Sequence, residues 1–247
     1  MDLFGDVWAW LTAAENWSGS ASIPVRLWEH IQMSAQATAF GALIAFPAGL
    51  YIGHKRRFEF VAVTVGNFGR ALPSFGILGL TYTFTLNWPG NIGFWPTFIA
   101  LFLLAIPPIL ANTYVGVKGV DPDTLEAARG MGMRERELLT RLELPLATPL
   151  IVAGFRIAAV QVVATATLGA VAGWGGLGRF IVDGFSVSDD PQIVGGALLV
   201  ALLAVATEVG FGLLERAVSP TTRSRSPSRG SRVLPGGAVG SEAGSSA

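Results

Sequence analysis

The chain has no cysteine among its 247 residues, which excludes disulfides, thiolate metal sites and cysteine nucleophiles. Histidine is nearly as scarce. His30 and His54 are the two present; neither stands in an H-E-x-x-H arrangement, and no G-x-S-x-G surrounds a serine. No acid–base constellation can be assembled from these residues, so an intramembrane enzyme ranks low and no metal site is expected. The phosphate-binding pattern G-x4-G-K-[ST] is also missing, so ATP is not expected to bind this chain. Charge is short as well: 14% of residues are Asp, Glu, Lys or Arg, where soluble domains carry about a quarter. Apolar residues make up 51%, with a mean hydropathy of +0.52, and that balance points to a membrane protein.

Five stretches are long and apolar enough to cross a bilayer, which takes about 20 residues. They are 31–53, 58–86, 94–114, 149–171 and 192–214. The second is overlong and broken by "ALPSFGILGL", where Pro73 removes an amide donor and Gly76 and Gly79 loosen the helix beyond it. Basic residues cluster on alternate sides. His54 to Arg57 follow the first span, Lys118, Arg129, Arg134, Arg136 and Arg141 lie between spans three and four, and Arg216 to Arg232 follow span five. The opposite loops have almost none, which predicts five spans with the N-terminus outside and the C-terminus inside. Residues 1–29 begin with acids and lack a basic n-region, so a signal peptide is not expected. Trp8, Trp10, Trp17 and Trp28 suit an external, interfacial segment there. Residues 30–218 form the predicted membrane domain. The Ser/Gly/Pro/Arg-rich stretch 219–247 is expected to be a disordered basic cytoplasmic tail. Ala37, Gly41, Ala45, Gly49 and Gly53 recur every four residues, a smooth stripe for close helix contact within the subunit or with another.

The long loop 115–148 carries both signs of charge. Asp121 is a good N-cap, Pro122 fits the first helical position and Asp123 complements the helix dipole. A short helix is predicted over 124–129, with Gly130 and Gly132 ending it. A second helix, "MRERELLTRLEL", should run to Pro145. Leu125 and Ala128 share a face, and the short helix offers a slim surface able to enter a groove on another protein. The plainer alternative is a solvated connector.

Glu126-Ala127-Ala128, Gly132, nine residues, then Leu142-x-Leu144-Pro145 match the EAA loop of ABC-importer permeases. With "PPILANTYVGV", "ELPLATPLIVAGFRIA", "GWGGLG" and "GLLERAVSP", the chain resembles the permeases of osmoprotectant importers (glycine betaine, carnitine, choline) from about residue 30 to 220. The resemblance implies an all-α polytopic helix bundle, the type I ABC-importer transmembrane domain, in the bacterial cytoplasmic (inner) membrane. It implies a transport subunit rather than an enzyme. Leu125, Glu126, Ala127, Ala128, Gly130 and Gly132 would form the coupling helix that docks into a cytoplasmic ATPase, and Leu144 and Pro145 would fix its exit into span four. ATP and Mg would sit on that partner. A second permease, identical or homologous, an extracytoplasmic substrate-binding protein and membrane lipid complete the implied partners, with no role for nucleic acid. Other readings are a permease for a different small polar solute such as an amino acid, and a secondary transporter or channel, which would not require the coupling motif.

Ionisable groups inside spans are costly unless satisfied. Arg156 and Glu208 fall roughly 10 and 12 Å in from the cytoplasmic side by helical rise, and a pair between them is expected to lock spans four and five. Arg70 precedes the Pro73 break and either faces a cavity or is satisfied by carbonyls freed there. Pro73, Ser74, Gln161, Thr165 and Trp174 complete a candidate translocation path, although a threonine often bonds its own helix and an interfacial tryptophan is often an anchor. The glycines at 173–178 follow a membrane helix and not a strand, so they are not a dinucleotide fingerprint.

Overall fold

The computed structural model describes residues 3–71, 73–90 and 92–218. Those residues are helical, with no strand among them, as expected for an all-α membrane bundle. Helix α1 (Leu3–Thr12) leads through a short 3-10 turn to α2 (Ile23–Lys55). Two half-length helices, α3 (Glu59–Ala71) and α4 (Ser74–Thr85), precede α5 (Phe94–Lys118). The loop then carries α6 (Pro122–Gly130), a single turn α7 (Glu135–Glu137) and a π-helical segment, Leu138–Glu143. α8 (Leu144–Thr165) ends in a 3-10 turn, and α9 (Gly178–Val187) and α10 (Asp190–Val218) close the fold.

α5 is the axis of the bundle, because it is apolar all round and packs on α2, α3, α4 and α8. The main core joins Met33, Ala37 and Ala45 of α2 to Leu101, Ala105 and Ile109 of α5 and to Ala158 and Val162 of α8. The small-residue stripe of α2 lies in this contact. A Cβ on Gly41 would come 2.9 Å from Ala105 Cβ, and one on Gly49 or Gly53 would come 2.8 Å from Thr113 or Val117. Of the two readings open in the sequence, the stripe packs inside the subunit. α10 rests on α8 and α9, and α1 rests on α10, where Trp10 meets Phe180 edge-on at 5.2 Å. Trp8, Trp17 and Trp28 are exposed, as are Phe40, Leu43, Phe84, Leu202, Val205 and Leu213, a surface suited to lipid.

Among the described residues, four helical runs are long and apolar enough to cross a membrane: α2, α5, the run containing α8, and α10. The remaining stretch, predicted as one span over 58–86, is instead α3 and α4, of 13 and 12 residues, separated at Pro73. Proline cannot donate to the preceding turn, so the break falls where the missing amide predicts. The helix ahead of span four differs from expectation. It does not stop at Pro145 but runs through it into α8, because the π-helical turn beneath widens: Leu144 N–H donates to Leu139 O, five residues back. The wider turn relieves the clash that a proline ring makes with the carbonyl four residues earlier in an α-helix. α2 begins at Ile23 and not near 30. The expected tail, 219–247, lies outside the described residues.

Candidate functional site

The loop helix α6 is built by its ends. Asp121 Oδ1 accepts the Asp123 amide at 3.2 Å, and Asp121 Oδ2 accepts the Thr124 hydroxyl at 3.2 Å. Pro122 occupies the first turn, where no amide is needed. At the other end Gly132 N–H donates to Arg129 O at 2.9 Å and Met133 N–H to Ala128 O at 3.1 Å, the two bonds of a Schellman stop. Gly132 takes φ +88°, in the left-handed region that glycine alone enters cheaply. Gly130, also expected to end the helix, is its last regular residue, so the stop is made by Gly132.

The faces of α6 reverse one expectation. Leu125 and Ala128, each 3% exposed, pack with Val120 and Leu138 and against Met133 and Leu142. The face they share is turned into the loop's own core and cannot enter another protein. Glu126, Ala127, Gly130 and Gly132 are exposed. Met131, 79% exposed between the two glycines, extends that outward surface. Sequence reasoning missed Met131; a large apolar residue in a polar, glycine-flanked turn was the available signal. Leu144, at the exit, packs with Val117, Ala147 and Ile151 at the foot of α5 and α8, while Pro145 is exposed.

A charged network underlies this loop. Arg129 Nε donates to Glu135 Oε1 at 3.1 Å, Glu135 Oε2 lies 3.2 Å from His54 Nε2, and His54 Nδ1 lies 2.5 Å from Glu143 Oε2. The Glu143 side chain is 3% exposed and that of His54 7%. Beside them opens a polar pocket of about 320 Å³ whose lining includes Lys55, Arg56, Pro122 and Leu125. Nearby, Lys118 at the end of α5 pairs with Glu59 at the start of α3, 2.5 Å apart.

Between α8 and α10, Arg156 Nε is 3.5 Å from Glu208 Oε1, and Arg156 Nη1 is 2.9 Å from Glu215 Oε2. Sequence reasoning did not include Glu215. Of the candidate path residues, Ser74 and Thr165 line one narrow crevice with Thr97 and Leu101, of about 10 Å³, room for roughly one water. Gln161 lies one turn before Thr165 on the same helix and is half-buried. Pro73 is exposed at the head of α4. The Arg70 side chain lies outside the described ones. Trp174 is separate from the crevice: its ring meets Phe94 at 5.1 Å in an aromatic group that continues to Phe98. Its loop is held by α2, because Glu29 Oε2 accepts the Gly176 amide at 2.8 Å and His30 Nδ1 accepts the Leu177 amide at 3.3 Å. His30 Nε2 in turn meets Val163 O on α8 at 2.9 Å.

Known proteins resemble this chain in sequence and in fold. A carnitine transport permease protein, OpuCB of Listeria monocytogenes, is 37% identical over 196 residues, covering 79% of this chain and 88% of that one. A choline transport system permease protein, OpuBB of Bacillus subtilis, is 34% identical over 200 residues, covering 81% and 90%. Among solved structures, an inward-facing form of the MetNI methionine ABC transporter superposes with a TM-score of 0.68 at 22% identity, covering 78% of this chain and 94% of that one; at that identity it speaks for the fold. Residues 41–224 match the family described as the binding-protein-dependent transport system inner membrane component. A helical bundle with apolar crossings, a capped and glycine-stopped loop helix, and these relatives agree: the chain belongs to that family, the inner-membrane permease subunits of ABC transporters, and is not itself an enzyme.

Proposed function

We propose that this chain forms half of the translocation path of an ATP-driven importer for a small osmoprotectant, a quaternary amine such as glycine betaine, carnitine or choline, or proline. The substrate class is supported by the activities of the relatives, permeases for carnitine and choline. The mechanism rests chiefly on one observation: α6 turns Glu126, Ala127 and the Gly130–Met131–Gly132 turn away from the bundle while Leu125 and Ala128 anchor it from within.

A helix held this way is a rigid plug. It docks into a cytoplasmic ATPase that carries ATP and Mg, and closure of two ATPase subunits brings two such plugs together. Leu144 and Pro145, at the root of α8, pass that displacement into the membrane. The bundles then switch between inward- and outward-facing states by rigid-body movement. In this reading α2, α5, α8 and α10 cross the membrane, α3 and α4 together make a fifth crossing bent at Pro73, and the chain runs N-out, C-in. Five crossings enclose a path poorly, so a second permease, identical or homologous, completes it. Ser74, Thr165, Gln161 and Pro73 lie along that path, with Arg70 near its midpoint and Trp174 at the outer end. An extracytoplasmic binding protein delivers the solute there.

Uptake of labelled glycine betaine, carnitine, choline and proline by cells with and without the chain tests the reading. Loss of at least one of these activities in the deletion strain, restored by the wild-type gene but not by Glu126→Arg, is expected. Undiminished uptake of all four, with loss of an amino acid such as methionine, would overturn the substrate class and leave the fold and coupling intact.

A further inference from the structure

We infer that His54 and Glu143 form a joint through which movement of α6 reaches α2 directly, with Glu135 and Arg129 as its outer links. The inference rests on the docking role proposed for α6. It adds a route through side chains to the route through the chain itself, which leads from α6 only to α5 and α8.

His54 is the next-to-last residue of α2, and Glu143 is the last residue of the π-helical segment, 89 positions away in sequence. Both are almost fully buried. Each ring nitrogen of His54 faces a carboxylate, Nδ1 toward Glu143 and Nε2 toward Glu135. Arg129, on α6 itself, binds the other oxygen of Glu135. The four side chains Arg129, Glu135, His54 and Glu143 therefore run in unbroken contact from α6 to the end of α2 and on to the root of α8.

The apolar core of the loop does not supply this link. Val120, Leu125, Ala128, Leu138, Met133 and Leu142 all belong to the loop, so their packing ties α6 to the π-helical segment and not to α2. The π-helical turn contributes by aim as well as by accommodating Pro145, because it carries the Glu143 carboxylate to His54. Glu143 occupies the unspecified position between Leu142 and Leu144 of the EAA pattern, so the pattern itself does not demand a carboxylate there. The adjoining pocket gives the network room to change partners, since Lys55 and Arg56 line it together with Glu135 and Glu143. A polar chain beside such a space has alternative partners within reach and can hold two arrangements.

The test uses the complete transporter, with its ATPase, second permease and binding protein, in liposomes, and reads ATP hydrolysed per solute transported. His54→Gln and Glu143→Gln are each expected to raise that ratio at least five-fold. The double variant should match the worse single one, because residues of one network do not add. His54→Lys, which places a cation facing both carboxylates, should recover part of the coupling. A ratio within two-fold of wild type in both single variants overturns the joint, even if their thermal stability falls. If the buried variants do not assemble, the exposed links carry the test: Arg129→Gln and Glu135→Gln should raise the ratio about two-fold, and no change in either overturns the joint. Failure of the docking proposal looks different, because the wild-type chain would then neither retain the ATPase nor transport on ATP.

Discussion

Arg156 and Glu215 pair at 2.9 Å across the contact of α8 with α10, and this pair is shorter than the 3.5 Å contact of the same guanidinium with Glu208. One arginine therefore serves two carboxylates on one helix, seven positions apart. Removing Arg156 leaves both without a cation in an apolar setting. Arg156→Gln should cost on the order of 1–2 kcal/mol, between the values for exposed and for buried pairs, because the side chain remains 31% exposed. Glu208→Gln should cost less than Glu215→Gln. The order of thermal midpoints in detergent checks this, and Arg156→Glu with Glu215→Arg should recover most of the loss if the pair, and not the individual residues, holds the helices.

The two glycines of the α6 turn should respond oppositely to alanine. Gly130 is helical, and a Cβ added there meets open space, so Gly130→Ala is expected to be neutral or to stabilise the loop by up to about 1 kcal/mol. Gly132 sits at φ +88°, where a Cβ costs roughly 1–2 kcal/mol and unwinds the stop. The thermal midpoint should hold or rise for Gly130→Ala and fall for Gly132→Ala, and co-purification of the ATPase in mild detergent should fall several-fold for Gly132→Ala.

Leu125 and Met131 divide the loop between folding and docking. Leu125→Ala opens the small core of Val120, Ala128 and Leu138 and should cost about 2–3 kcal/mol, the lower part of the range for a buried leucine because the cluster is small and can relax. Limited proteolysis within 121–143 then accelerates. Met131→Ala removes only outward surface, so proteolysis should be unchanged while ATPase retention weakens. Equal effects of both on retention and on proteolysis would refute the division of faces.

What could be read in advance was whatever local chemistry decides. Asp121 and Gly132 set the limits of α6 through bonds that span two to five residues. Pro73 divides α3 from α4 because a missing amide acts on its own turn. Arg156 and Glu208 were paired by depth alone, since buried charges must find partners. Glu215 escaped notice because a carboxylate near a helix end can be solvated without one. The orientation of α6 was not legible: Leu125 and Ala128 mark an apolar face, but only neighbouring Leu138 decides that it points inward. Pro145 misled for a related reason, because its cost depends on whether the preceding turn can widen. His54 and Glu143, far apart in sequence, had no local signal at all.

The stripe of α2 makes the last prediction. At Gly49 a Cβ would lie 2.8 Å from Thr113 Cβ and 3.0 Å from Leu110 O, so one of the contacts is backbone that cannot swing away. At Gly79, on α4, a Cβ meets nothing within 4 Å. Gly49→Ala therefore has to push α2 off α5, an overpacking cost of about 1–3 kcal/mol, whereas Gly79→Ala gains helix propensity and costs nothing. Because α2 also ends at His54, a displaced α2 would disturb the cytoplasmic network as well as the core. Gly49→Ala should thus lower the thermal midpoint and reduce uptake together, and Gly79→Ala should change neither by a measurable amount. A stable, active Gly49→Ala variant would mean that α2 and α5 can part at the stripe without cost.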